Sequence, residues 1–249
     1  MKTINPHHLQ LLKLIDKSKS SCKPTDTAWV QKYLGSNKIF HGFSSRQMSL
    51  LVKEFLNENK LDKSQAIELL NSLYQNGTTY TEIALAAMIL PLTPLIKSFD
   101  PKHLYLWLNY TCGWAENDVL CQSNFSADIV LSNWTEWQKT LKQFNKSSNI
   151  NKRRASLVLL VTPLRQSDDP RLAKIAFENI ENLKSEKEIL ITKAVSWALR
   201  ALVKFHKEDV LDYLEKNKDT LPKIAYREAL SKALTGKKYV NKSKKQVIT

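Results

Sequence analysis

The sequence predicts an all-α fold, and three observations carry that prediction. Apolar residues recur at helical spacing nearly throughout, short polar breaks separate the periodic stretches, and glycine is scarce. The 249 residues include 5 glycines, where average usage is about 7%. Strand-rich folds need glycine for hairpins and bulges, so its scarcity favours helix. The periodicity predicts helices over 5–17, 26–34, 44–58, 63–75, 79–91, 101–111, 115–131, 134–144, 150–162, 169–184, 187–205, 207–218 and 222–235. Asp26, Ser44 and Thr79 are placed to cap orphan N–H groups at helix starts, and Pro101 and Pro222 suit a first helical turn.

From about residue 60 the helices fall into antiparallel-looking pairs of roughly 35 to 45 residues, the period of HEAT or armadillo arrays. One such pair cannot bury its own apolar face and must stack on its neighbours. The expected architecture is a HEAT-like helical-repeat solenoid, an α-α superhelix whose stacked pairs give an extended concave surface suited to a long polyanion. An irregular helical bundle is the plainer reading of the same pattern. No linker divides the chain, so one domain is expected over 1–236. A basic, disordered tail is expected over 237–249, carrying Lys237, Lys238, Lys242, Lys244 and Lys245.

Lys and Arg number 38 against 24 Asp and Glu, a formal charge of +14. Such an excess favours a polyanionic partner, because each neutralised phosphate releases condensed counterions. Charge alone fits a solvated lysine-rich surface equally well and leaves RNA and anionic membrane open. Cys22, Cys112 and Cys121 form no CxxC pair, and no histidine spacing suits zinc, so neither a metal site nor a cofactor is expected. The opening MKTINPHHLQ lacks the apolar run of a secretory signal. No stretch approaches about 18 uncharged apolar residues. A monomer in the cytoplasm (bacterial cytosol or nucleoid) is expected, with no membrane partner.

Three segments could carry chemistry. In 187–205, at roughly 100° per residue, Ile191, Ala194, Val195, Ala198, Leu199 and Leu202 form a core stripe. Lys193, Trp197, Arg200 and Lys204 fall on the opposite face. A tryptophan among three cations suits a polyanion, and a tryptophan packed on the next helix pair accounts for it equally well. Arg153 and Arg154 stand in the first turn of a helix whose continuation, Ala155 to Val161, is apolar on every side. They oppose the positive end of the helix dipole at about 0.3–1 kcal/mol each. A bound phosphate would remove that penalty, and so would an acidic residue of a neighbouring repeat. Trp114 and Asp118 lie four apart, on one face if helical. An acidic residue in a first helical turn is by itself a common surface feature.

Taken together, these segments resemble the AlkD-like DNA glycosylases of the DNA alkylation repair family. Lys193-Ala194-Val195-Ser196-Trp197-Ala198-Leu199-Arg200 looks like the family's signature helix. Asp209, Val210, Tyr213 and Leu214, and then Tyr226-Arg227-Glu228-Ala229, match its C-terminal end. Trp114 and Asp118 match its Trp-x-x-x-Asp element, Arg154-Ala155 its arginine before a buried helix, and Tyr33 before Gly42 its lesion-facing tyrosine. The likeness runs from about residue 25 to 236. It departs at Ser196, where a glycine is common.

The resemblance implies hydrolysis of the N-glycosidic bond of alkylated purines, 7-methylguanine and 3-methyladenine, in duplex DNA. An alkylated base already carries positive charge and can leave without a general acid, through an oxocarbenium-like transition state. Asp118 would oppose that cation and orient water. Trp114 and Trp197 would line the deoxyribose, and Arg154 would hold the adjacent phosphate. Tyr33, Arg153, Lys193, Arg200 and Lys204 would contact lesion or DNA. Glycosylases usually extrude the target base, whereas this family, by resemblance, works without a deep pocket. The competing readings are an inactive helical-repeat protein that binds damaged or branched DNA, and a helical scaffold for other proteins.

Overall fold

A computed structural model describes residues 4–22, 27–122 and 124–239. Among the described residues the regular structure is helical, and the one β-type pairing is an isolated bridge between Ile39 and Thr79. The fold class is the all-α one expected. The chain divides into two compact units, Met1–Ala155 and Ser156–Thr249.

The first unit is built from α1 (Pro6–Ser18), α2 (Thr27–Leu34), α3 (Ser45–Glu58), α4 (Lys63–Asn76), α5 (Tyr80–Ile89), α6 (His103–Trp107), α7 (Gly113–Cys121), α8 (Ala127–Ser132) and α9 (Trp134–Asn145). The start of α10 (Ile150–Gln166) completes it. Its centre is α5, a helix apolar on every side, with Thr81 to Ala87 all buried. That helix packs on α3, α4 and α7. Ser44, Asp62 and Thr79 each close a capping box with Gln47, Gln65 and Glu82, satisfying orphan donors at both partners. Glu82 is itself buried and reaches His8 of α1: His8 Nε2 lies 2.9 Å from Glu82 Oε1, and Nδ1 lies 2.9 Å from Ser72 Oγ. Burial pushes the Glu82 carboxyl up, but hydrogen bonds from His8 and Thr79 outweigh it and hold the group below its ordinary value. An aromatic cluster fills the other side, with Trp107 stacked on Tyr74 at 5.2 Å and Phe99 against Phe125 at 4.9 Å.

The second unit contains the body of α10, then α11 (Pro170–Leu183), α12 (Ile189–Leu202), α13 (Lys207–Lys216) and α14 (Lys223–Thr235). Here α12 is central, packed on α11, α13 and α14. Its predicted stripe, Ile191 to Leu202, is fully buried. So is Ala155 to Val161 of α10.

Several segment boundaries differ from the sequence expectation, among them 187–205, which shortens to α12 and leaves Lys204 in the turn beyond it. The stretch 115–131 is two helices: Asn124 caps the end of α7 by donating to Leu120 O, and Ser126 caps the start of α8. The stretch 101–111 shortens to α6, because Asp100 Oδ1 accepts the Lys102 N–H and holds 100–103 in a turn that includes Pro101. Pro222 sits at the N-cap, one residue before α14. In α10 the helix continues through Pro163 to Gln166. Gly236, at φ +72°, then turns the chain so that Lys238 and Tyr239 return to Glu228. Asp26 and the tail lysines 242, 244 and 245 lie outside the described residues.

Candidate functional site

The N-terminus of α7 is set by a contact that only glycines permit. Gly35 ends α2 at φ +68° and Gly113 opens α7 at φ +70°. A Cβ on Gly113 would run into the Gly35 carbonyl and lie 2.6 Å from Leu34 O. This close approach lets the Trp114 indole donate to Tyr33 O at 2.7 Å, filling one of the orphan carbonyls at the end of α2. Tyr33 meets the Trp114 ring edge-on at 5.5 Å and stacks in parallel on Trp29 at 5.4 Å. Trp29 and Tyr33 are both exposed.

Glu116 locks the arrangement from within. It is fully buried; Oε2 accepts the Cys112 N–H at 2.8 Å and the Lys38 ammonium at 2.8 Å, and Oε1 accepts the Ser36 hydroxyl. One carboxylate thus ties the loop after α2 to the first turn of α7. One residue on, Asn117 donates to Asn151 O, and Asn151 donates to Thr111 O, joining α7 to the start of α10.

That junction brings Arg154 onto Asp118. The guanidinium grips the carboxylate as a fork, Nε to Oδ1 at 2.9 Å and Nη2 to Oδ2 at 2.7 Å. Both partners are nearly buried, with side-chain exposures of 4% for Arg154 and 11% for Asp118. Burial pushes the Asp118 carboxyl above its ordinary value, and the pull of Arg154 opposes that shift without cancelling it. The exposed sliver of Asp118 opens on a cavity of about 510 Å³, walled by Trp114, Tyr80, Met88, Leu92 and Gln122. Tyr80 is also pushed up, by burial first and then by the Glu116 and Asp118 charges. A carboxylate paired with an arginine, at the rim of a mostly apolar cavity beside an indole, can in its ionised form oppose a cation presented to it.

Arg153 turns the other way and donates to Ser147 O and Ser148 O, both at 2.8 Å. In the second unit Lys193 is exposed and Trp197 half-buried. Lys204 donates to Arg165 O at 2.6 Å. Arg200 is more enclosed than a solvated face would make it: its Nε lies 3.6 Å from Glu228 Oε2 and 3.3 Å from Ser196 Oγ. Among the described residues no group of three or more His, Cys, Asp or Glu could hold a metal ion, and no helix is long and apolar enough to cross a membrane.

The model of the DNA alkylation repair enzyme family matches residues 17–233. The chain belongs to that family. Among solved structures, a predicted DNA alkylation repair enzyme from Enterococcus faecalis is similar over 86% of this chain and 97% of its own, at 20% identity and a TM-score of 0.69. No curated protein matches the chain. Membership gives this DNA alkylation repair protein a role in the repair of alkylated DNA, with DNA as its substrate.

The structure therefore brings Tyr33, Trp114, Asp118 and Arg154 together in one unit, and in the other it carries Lys193, Trp197 and Arg200 on α12 and Lys204 in the turn just beyond it. Sequence reasoning missed Glu116, Tyr80 and Glu228. Glu116 had a signal, a carboxylate three residues after Gly113 in a first helical turn. Glu228 stood inside the C-terminal motif but looked like any surface glutamate.

Proposed function

We propose that this protein is a DNA glycosylase that hydrolyses the N-glycosidic bond of alkylated purines, 7-methylguanine and 3-methyladenine, in duplex DNA. One observation carries the proposal. Asp118, the carboxylate that a cationic transition state needs, is held by a bidentate arginine at the rim of a cavity walled by Trp114. An exposed carboxylate would be screened by water, whereas one fixed in a largely dry setting acts at full strength as charge develops. Its preorganised field would stabilise the oxocarbenium ion, and the indole face of Trp114 would add to it. The cationic base leaves unaided, which accords with a site that has no histidine acid.

Arg154 takes part through Asp118. Its fork favours the ionised carboxylate against the effect of burial and fixes its direction, so phosphate contact is at most a second task. Tyr33, stacked on Trp29 and edge-on to Trp114, supports the aromatic wall. Trp197 is kept as a lesion-side aromatic on resemblance. Arg153 is assigned to DNA on resemblance, and Lys193, Arg200 and Lys204 on charge as well, with the formal +14 supporting a polyanionic partner.

Release of free 7-methylguanine from alkylated duplex DNA is the deciding assay. Excision that is lost in Asp118→Asn supports the proposal. Tight binding of the same DNA by the wild type without release would leave the inactive DNA-binding reading in its place.

A further inference from the structure

Within the second unit, a cavity of about 560 Å³ is bordered by five cations: Arg165, Arg200, Lys204, Lys232 and Lys238. They arrive from four places, the end of α10, the end of α12 and the turn after it, the last turn of α14, and the chain beyond Gly236. One buried carboxylate answers them. Glu228 lies 3.6 Å from Arg200 and 3.4 Å from Lys238, with its oxygens already accepting from Ser196 at 2.6 Å and Tyr239 at 2.7 Å. Lys204 and Lys232 donate to the carbonyls of Arg165 and Gly236, both at 2.6 Å, and Arg165 makes no ion pair among the described residues.

The ordinary explanation is that cations collect at helix C-termini. Three helix ends supply about half a negative charge each. Set against four cationic charges that Glu228 leaves unanswered, that still leaves roughly two and a half. The groups also disfavour one another. Burial lowers both arginines from their ordinary value, and near Arg200 the charge of Glu228 resists this while that of Arg165 adds to it. Like charges gathered round an open cavity are stable when an anion sits among them.

We propose that this cavity is a phosphate-binding site, taking phosphoryl oxygens either of a nucleic-acid backbone or of a free polyphosphate. The first source rests on the DNA-binding reading above, and the second does not. Arg165, Lys232 and Lys238 belong to no part of the lesion site. The cavity volume lies within the range of small-ligand pockets, about 300–1,000 Å³.

The test uses the full chain, the Arg165→Gln/Lys232→Gln variant, inorganic pyrophosphate and an undamaged duplex. At matched ionic strength, pyrophosphate is expected to raise the thermal midpoint of the wild type. The variant is expected to bind it at least about tenfold more weakly, the size of one lost charge-assisted hydrogen bond. Removing mutually repelling cations should leave the variant's own midpoint at or above that of wild type, so the same melt verifies folding. Lys238→Gln provides an independent second variant. If the source is a nucleic-acid backbone, pyrophosphate displaces the duplex and the double variant's log–log salt slope falls by about two. If the source is a free polyphosphate, duplex affinity and slope stay unchanged while pyrophosphate binding is lost. A wild-type midpoint that moves no more with pyrophosphate than with sodium chloride overturns the site, as does a variant that binds pyrophosphate like wild type. Neither substitution touches Asp118, so absence of 7-methylguanine release would refute the glycosylase reading and leave this result standing.

Discussion

Replacing Asp118 by asparagine keeps the shape of the side chain but changes two quantities at once. The carboxylate accepts both prongs of Arg154 at 2.9 and 2.7 Å in a nearly buried setting. An asparagine accepts one prong and turns an N–H₂ toward the other. Removing one partner of a buried ion pair costs roughly 3–5 kcal/mol, and with one hydrogen bond retained the lower end applies, about 3 kcal/mol. For a chain of this size that lowers the thermal midpoint by roughly 6–12 °C. Loss of the preorganised negative charge should lower the excision rate by about 10²- to 10³-fold. Single-turnover release of 7-methylguanine, measured well below the variant's midpoint beside a DNA-binding titration, separates the effects. The Asp118→Asn/Arg154→Gln variant sharpens the assay, because it removes the stranded guanidinium as well. It should recover most of the stability and none of the rate. Normal excision by Asp118→Asn refutes the catalytic assignment. Recovery of the rate in the double variant would show instead that the single one fails through misfolding.

Further outcomes follow from the same geometry. Because burial raises the Asp118 carboxyl while Arg154 pulls it down, Arg154→Ala should move the acid limb of the excision pH profile to higher pH; an unmoved limb would mean that Asp118 is not the titrating group. Gly113→Ala must adopt φ +70° and push a methyl onto the Gly35 carbonyl, so denaturant unfolding should show a loss of about 2–4 kcal/mol. Arg200→Gln should lower the thermal midpoint by leaving Glu228 less well paired, whereas Lys193→Gln, on an exposed side chain, should stay within about 0.5 kcal/mol. Glu82→Gln should lessen acid denaturation: its lowered carboxyl contributes stability that is present above about pH 4.3 and lost as pH falls through the folded value, so a urea-melt series from pH 6 to 3 should flatten. Binding to undamaged duplex DNA should weaken with salt at a log–log slope of roughly −4 to −7, and a slope near zero would remove the nucleic-acid partner.

The helices were legible because their causes are local. The period of apolar residues and the capping oxygens of Ser44 and Thr79 act within a few residues, so the sequence alone determined where α3 and α5 start and which stripe of α12 is buried. The net charge and the order of the Trp114, Asp118, Arg154 and Trp197 motifs were equally legible; the charge suited a polyanion, and the family resemblance carried by the motifs implied alkylated DNA. Where a competing local cause acted, the expectation failed: the Asn124 and Ser126 caps broke one long apolar run into α7 and α8. What only the tertiary structure decided are pairings between residues far apart in the chain. Arg154 could have met a phosphate or an acid, and its choice of Asp118, 36 residues away, depends on Asn117 and Asn151 docking α7 on α10. Arg200 looked solvated until Glu228, 28 residues on, was folded against it. Gly35 and Gly113 each look like ordinary turn residues, and only their contact reveals that a Cβ on Gly113 would run into the Gly35 backbone. Periodicity reports the face a side chain points from, and the charge it meets is set by which helix packs opposite.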